Sequence, residues 1–240
     1  MKKWTMSRTS IVIFLGIILM LAGGCSKKKD SVTLDATTGT VTDADGNKYK
    51  TVKIGNQWWM AENLRTTLYS NRIPIPLVAD SATWRYLSTP GYCWLNNDIS
   101  YKSVYGALYN WNAVSTGKLA PVGWHIPSDA EWTILTSFLE GESIAGGRMK
   151  ATGTIEDATG LWFAPNTGAT NASLFSALPG GSREGGHFFL SMIGHTGFWW
   201  SSTFTGIGNA WGRELNYDSA IAFRDNWTTT YGFSVRCVKD

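Results

Sequence analysis

The sequence predicts an α+β domain built on small antiparallel sheets, and three observations lead there. Short strand-like runs separated by Gly- and Asn-containing turns occur towards both ends of the chain. Two helical segments lie between them, with a glycine-rich stretch behind the second. Strands and helices never alternate at the spacing of βαβ units, which argues against a parallel sheet.

The elements follow in order. Met1-Lys2-Lys3 and Arg8 precede an apolar run of eleven residues, 11–21, interrupted only by Gly16. A membrane-spanning helix needs roughly 18–20 apolar residues, so this run reads as part of a signal peptide, residues 1–24. Ala22-Gly23-Gly24 lead directly into Cys25, and the segment resembles a bacterial lipobox, in which Cys25 is lipidated and becomes the new N-terminus. An ordinary secretory signal or an uncleaved anchor is the alternative. Ser26, where an acidic residue could stand, places the chain by similarity to other lipoproteins in the outer membrane. Residues 25–39, with Lys27-Lys28-Lys29, read as a flexible tether, and residues 40–240 as the folded domain.

Strands are expected at 41–42, 49–54 and 57–60, joined by the turn Asp43-Ala44-Asp45-Gly46-Asn47 and by Gly55-Asn56. The first turn starts like a calcium loop, but Ile54 stands where the bidentate glutamate belongs, so it is read as a turn. Residues 61–100 carry Pro74, Pro76 and Pro90 and are irregular. Residues 101–114 read as a first helix, with Tyr105, Leu108, Tyr109 and Asn112 on one face. The second helix begins at a Ser128-x-x-Glu131 capping box, carries Trp132, Leu135, Phe138 and Leu139 as a core stripe, and ends at Gly141. Residues 141–197 are loop-like. Their run 178–186 lacks the Gly-Lys-Ser/Thr ending of a phosphate cradle. Terminal strands are expected at 198–203, 210–215, 220–224 and 233–238.

Removal of residues 1–24 takes away three of 21 basic side chains, leaving 18 against 18 acidic ones. A balanced chain offers no concentrated basic face for nucleic acid. Twelve of the thirteen tryptophans lie beyond the signal, more than a core of this size readily hides, so some are expected in a groove or on a binding face. With Cys25 committed to lipid, Cys93 and Cys237 form an even pair in an oxidising compartment, either bridged or two buried thiols.

Three long segments carry a family resemblance. They are Asp45-Gly46-Asn47 through Gln57-Trp58-Trp59-Met60-Ala61-Glu62-Asn63-Leu64; Tyr105-Gly106-Ala107-Leu108-Tyr109-Asn110-Trp111 with Gly123-Trp124-His125-Ile126-Pro127-Ser128-Asp129-Ala130-Glu131-Trp132; and Trp199-Trp200-Ser201-Ser202-Thr203 with Gly232-Phe233-Ser234-Val235-Arg236-Cys237-Val238. Over residues 41–240 the chain resembles the Fibrobacter succinogenes major paralogous domain. That family is similar, more distantly, to the sulfatase-modifying-factor group and its C-type lectin-like fold. The resemblance implies two helices, small antiparallel sheets, long irregular loops and an exported protein of uncertain activity. Many relatives carry a cysteine where Ala120 stands here, which leaves the partner of Cys237 open.

Three function classes follow. A formylglycine-forming oxidase of the sulfatase-modifying type needs two close thiols holding copper, and related sulfoxide-forming enzymes need clustered histidines. Cys93 and Cys237 are 144 positions apart, and His125, His187 and His195 lack metal-pair spacing, so no catalytic residue, metal or cofactor is expected. Classical calcium-lectin motifs are also missing: Ala164-Pro165-Asn166 lacks the acidic or amide first position. The expected function is non-enzymatic recognition of a polysaccharide or an envelope protein, with Trp200, Trp211, Arg213, Tyr217 and Arg224 as the ligand-binding residues. The alternative is a structural lipoprotein that assembles with another envelope protein.

Overall fold

A computed structural model describes Met1 and residues 37–184, 187–188 and 192–240, with only the backbone given for residues 187–188. The signal segment, Cys25, Lys27-Lys28-Lys29, most of the tether, and the His187 side chain lie outside the described residues. The compact unit runs from Leu34 to Asp240.

The strands and helices are β1 (Thr38–Thr42), β2 (Lys48–Ile54), β3 (Gln57–Met60), α1 (Ser81–Arg85), β4 (Tyr92–Trp94), α2 (Lys102–Tyr105), β5 (Ala107–Asn110), α3 (Trp111–Val114), β6 (Trp124–His125), α4 (Asp129–Phe138), α5 (Glu142–Met149), β7 (Arg183–Glu184), β8 (His187–Phe188), β9 (Thr196–Gly206), β10 (Asn209–Asn216), β11 (Ala222–Thr228), β12 (Gly232–Phe233) and β13 (Val238–Lys239). They form three sheets: β1-β2-β3-β13-β6, β11-β10-β9 and β4-β5-β12-β7-β8. Every ladder between these strands is antiparallel, so the architecture is α+β.

The opening strands and the β9–β10–β11 meander match the expected pattern, with β1 starting three residues earlier than expected. The Asp43 turn is closed by its own carboxylate, which accepts from the Asn47 backbone and side chain at 2.9 and 2.8 Å. Helix α4 has the expected capping box: Ser128 Oγ accepts from Glu131 N, and the Glu131 carboxylate accepts from Ser128 N. Trp132 and Leu135 enter the core; Phe138 is largely exposed.

The structure corrects several expectations. Among the described residues five short helices stand where two were expected, and residues 61–100, read as irregular, carry α1 and β4 because local turns there pack into the core. Residues 101–114 are not one helix: α2 stops at Gly106, β5 follows, and α3 restarts at Trp111. Gly106 has φ +76°, and a Cβ there would lie 2.6 Å from Leu64 O, so the chain must turn where the periodicity suggested continuity. The expected strand 233–238 is two short pieces in different sheets, and residues 234–237 between them pair with Phe198, Trp200, Leu64 and Met60. Residues 142–149, read as loop, form α5. Gly146 and Gly147 depress helix propensity, yet Cβ atoms there would stand 2.4 Å from Ile221 O and Gly168 O; close docking, not propensity, makes this helix.

The core is aromatic. Trp59, Trp84, Trp132, Trp162, Trp199 and Trp200 are wholly buried, and no described tryptophan is fully exposed. Trp199 and Trp200 point to opposite faces of β9. Trp199 joins the cluster under α4 and α5, and Trp200 joins the one around Tyr109 and Phe233. Cys93 and Cys237 are buried and free, in separate clusters, so the bridge is not formed.

Candidate functional site

The β10–β11 register places Arg213 opposite Arg224 and Trp211 opposite Asn226, so all four share one sheet face. Towards Leu215 and Ala222 that face is core; towards the β9–β10 turn it opens to solvent. Arg213 is wholly buried and its Nη1 donates to Asp129 Oδ1 at 2.8 Å. Arg224 donates to both Asp129 oxygens and lies 3.5 Å over the Trp211 ring. Burial pushes the Asp129 carboxyl up, but the bonds and charges of Arg224 and Arg213 outweigh it and hold it below its ordinary value.

The five expected ligand-binding residues therefore separate. Trp211, Arg213 and Arg224 come together, but Arg213 is sealed and the Arg224 guanidinium covers one face of Trp211. Trp200 is core: its Nε1 donates to Tyr109 O at 2.9 Å and its ring stacks on Phe233. Tyr217 sits at the far end of β10, edge-on to His195. Alternation along a strand says which residues share a face, not which end of the face is roofed.

A different region has the shape of a binding site. A cleft of about 700 Å³ lies on the first sheet, lined by residues 38–40, 50–52 and 61–63 from three adjacent chain segments. Its other wall carries Ser103, Val104, Leu174 and Ser176, and Arg236 lies at its base. Backbone pairing of Met60 N to Cys237 O and Leu64 N to Val235 O draws Arg236 alongside Asn63. Asn63 spends its full bonding capacity there. Its Nδ2 donates to Tyr105 O and Ser234 Oγ, and its Oδ1 accepts from Trp199 Nε1 and from Arg236 Nε at 2.7 Å.

Arg236 is wholly buried, and its remaining bonds go to the carbonyls of Met60, Phe175 and Ser176. None of the ion pairs among the described residues includes it. Burial pulls its pKa down to about 9, opposed by the charge of Glu62. Lys50 and Arg65 bring two more cations to the cleft, and Glu62 the one carboxylate. No local motif marks this site, because Lys50, Glu62, Arg65 and Arg236 are spread over 187 positions. The available signal was Arg236 itself, a charge inside an otherwise apolar terminal segment.

The remaining chemistry-bearing groups are held in place by their neighbours. His125 bridges Asp240 and Glu131 at 2.6 and 2.8 Å. His195 packs between Phe163 and Tyr217. Lys150, wholly buried, donates to the carbonyls of Asn216 and Ser219. Among the described residues no cluster of three or more His, Cys, Asp or Glu side chains could hold a metal ion.

The model of the Fibrobacter succinogenes major domain matches residues 52–239, which take in the arginine-paired end of β10 and the part of the cleft that follows Thr51, but not Lys50. The chain belongs to that family. Within the Fibrobacter succinogenes major domain the match takes in Asn63, Asp129, Arg213 and Arg236, and it leaves β1, the outer strand of the cleft, before its start. No curated protein and no solved structure matches the chain.

Proposed function

We propose that this chain is a lipid-anchored protein of the cell envelope, held in the outer membrane through Cys25. On this reading its C-type lectin-like domain binds a ligand without altering it, and the cleft beside Arg236 is the binding site. The observation that carries the reading is the cleft itself. It has the volume of a small-molecule site, and polar and charged groups from distant parts of the chain converge on it. The state of the cysteines supports a non-enzymatic role: burial pushes the Cys93 thiol up to about 11 and raises Cys237 as well, so neither is a ready nucleophile.

Val104, 43% exposed on the cleft wall, offers a direct test. Full-length chain in detergent is screened against envelope polysaccharides and peptidoglycan. Val104→Trp should fill the cleft and abolish whatever binding is found, with the melting temperature unchanged. Saturable binding that survives this substitution places the site elsewhere, and capture of one envelope protein with no glycan bound replaces the reading with an assembly role. For the anchor, Cys25→Ala should abolish incorporation of labelled fatty acid, and persistent labelling refutes it.

A further inference from the structure

We infer, resting on the reading that the cleft is the ligand site, that its ligand is an acidic saccharide, a sugar chain bearing carboxylates. The charge balance of the lining leads there. Lys50, Arg65 and Arg236 face Glu62 alone, three positive groups against one negative, a local excess of two. The single carboxylate is already engaged, since Glu62 Oε2 accepts from the Lys50 backbone N–H at 2.9 Å.

Arg236 makes this imbalance unusual. Buried charges are normally paired, because desolvating an ion costs more than neutral hydrogen bonds return. Arg236 is buried on neutral acceptors only, and these take four of its five N–H groups, leaving one on Nη2. Its charge acts on the cleft through protein of low dielectric rather than through water, which strengthens its field on an anion. The accessible cations are Lys50 and Arg65. Arg65 is held in position by donation to Lys48 O at 2.7 Å and by its stack on Tyr49.

The neutral lining favours a sugar over a peptide. Thr38, Thr40 and Ser103 on the cleft lining are exposed and make no side-chain hydrogen bond among the described residues, so their hydroxyls are available to ring hydroxyls. Val104 and Leu174 supply exposed aliphatic surface for the C–H face of a sugar ring.

The test titrates the full-length chain, in a nonionic detergent, with trigalacturonate, an alginate trimer, methyl-esterified trigalacturonate and triglutamate, by calorimetry at low and high salt. At least one of the two acidic sugars should bind, with the ester at least about tenfold weaker and the affinity falling with salt. Lys50→Glu should weaken that binding by about tenfold or more and Arg65→Gln by several-fold, both with unchanged melting curves. Equal binding of acid and ester, abolished in both by Val104→Trp, overturns the acidic ligand and leaves the cleft standing. Triglutamate binding as tightly as either sugar overturns the saccharide class. Acidic-sugar binding that Val104→Trp leaves intact overturns the cleft reading itself, and failure of both acidic sugars to bind overturns the inference.

Discussion

Arg213 and Arg236 are both wholly buried arginines in the C-terminal part of the chain, and they are treated differently. Arg213 meets a carboxylate: Asp129 caps the pair from the first turn of α4, and Arg224 adds a second guanidinium from the solvent side. Arg236 meets one amide oxygen and three backbone carbonyls, with a cleft beside it. In the first region the counter-charge is built into the fold, so the ion pair ties β10 to α4. In the second the chain supplies hydrogen bonds but no ion pair. A buried cation solvated only by dipoles keeps its charge uncompensated by any ion pair, whereas Arg213 is neutralised where it stands.

The sharpest way to break this comparison is to remove the counter-charge where one exists. Asp129→Asn should cost about 3–5 kcal/mol in denaturant unfolding, because it leaves the buried Arg213 uncompensated. Arg236→Met should cost less, about 1–3 kcal/mol, since the loss of bonds to three carbonyls is partly offset by removal of an unpaired buried charge. A larger loss at Arg236 than at Asp129 would mean that Arg236 is the structural pillar of the two.

His125 sharpens the comparison from the exposed side. Burial pulls its pKa down, but Asp240 and Glu131 outweigh that and leave it above the ordinary histidine value. A group whose folded pKa is raised contributes stability that is fully present below its unfolded pKa of about 6.5 and is lost as pH rises through the folded value. His125 and Asp240 are 41% and 59% exposed, so the contribution should be under about 1 kcal/mol. His125→Gln should flatten the stability profile just above neutrality, in unfolding curves taken across that range. A profile that keeps its slope assigns the pH dependence to another group.

The capping box of α4 was legible because it is a contract between residues three apart, and the first hairpin because its turn residues lie between alternating strands. Helix α5 was not, since Gly146 and Gly147 read as loop until the backbones of residues 168 and 221 are seen pressed against them. The break at Gly106 was hidden in the same way, by Leu64 O, more than forty positions away. Burial of the indoles was foreseeable in bulk but not residue by residue. Trp200 and Trp211 sit on neighbouring strands of one sheet, yet one is core and the other is half-covered by an arginine.

By itself the sequence determined the α+β class, the three opening strands, the α4 cap, the β9–β10–β11 meander and membership of the family, all properties of local spacing or of long linear matches. Tertiary structure alone decided that Cys93 and Cys237 stay apart, that Arg213 is sealed by Asp129, and that Lys50, Arg65 and Arg236 converge on one cleft. The reason is physical. Backbone propensity, capping and strand alternation act within a few residues, whereas burial and charge compensation depend on which distant segments the packed core brings together.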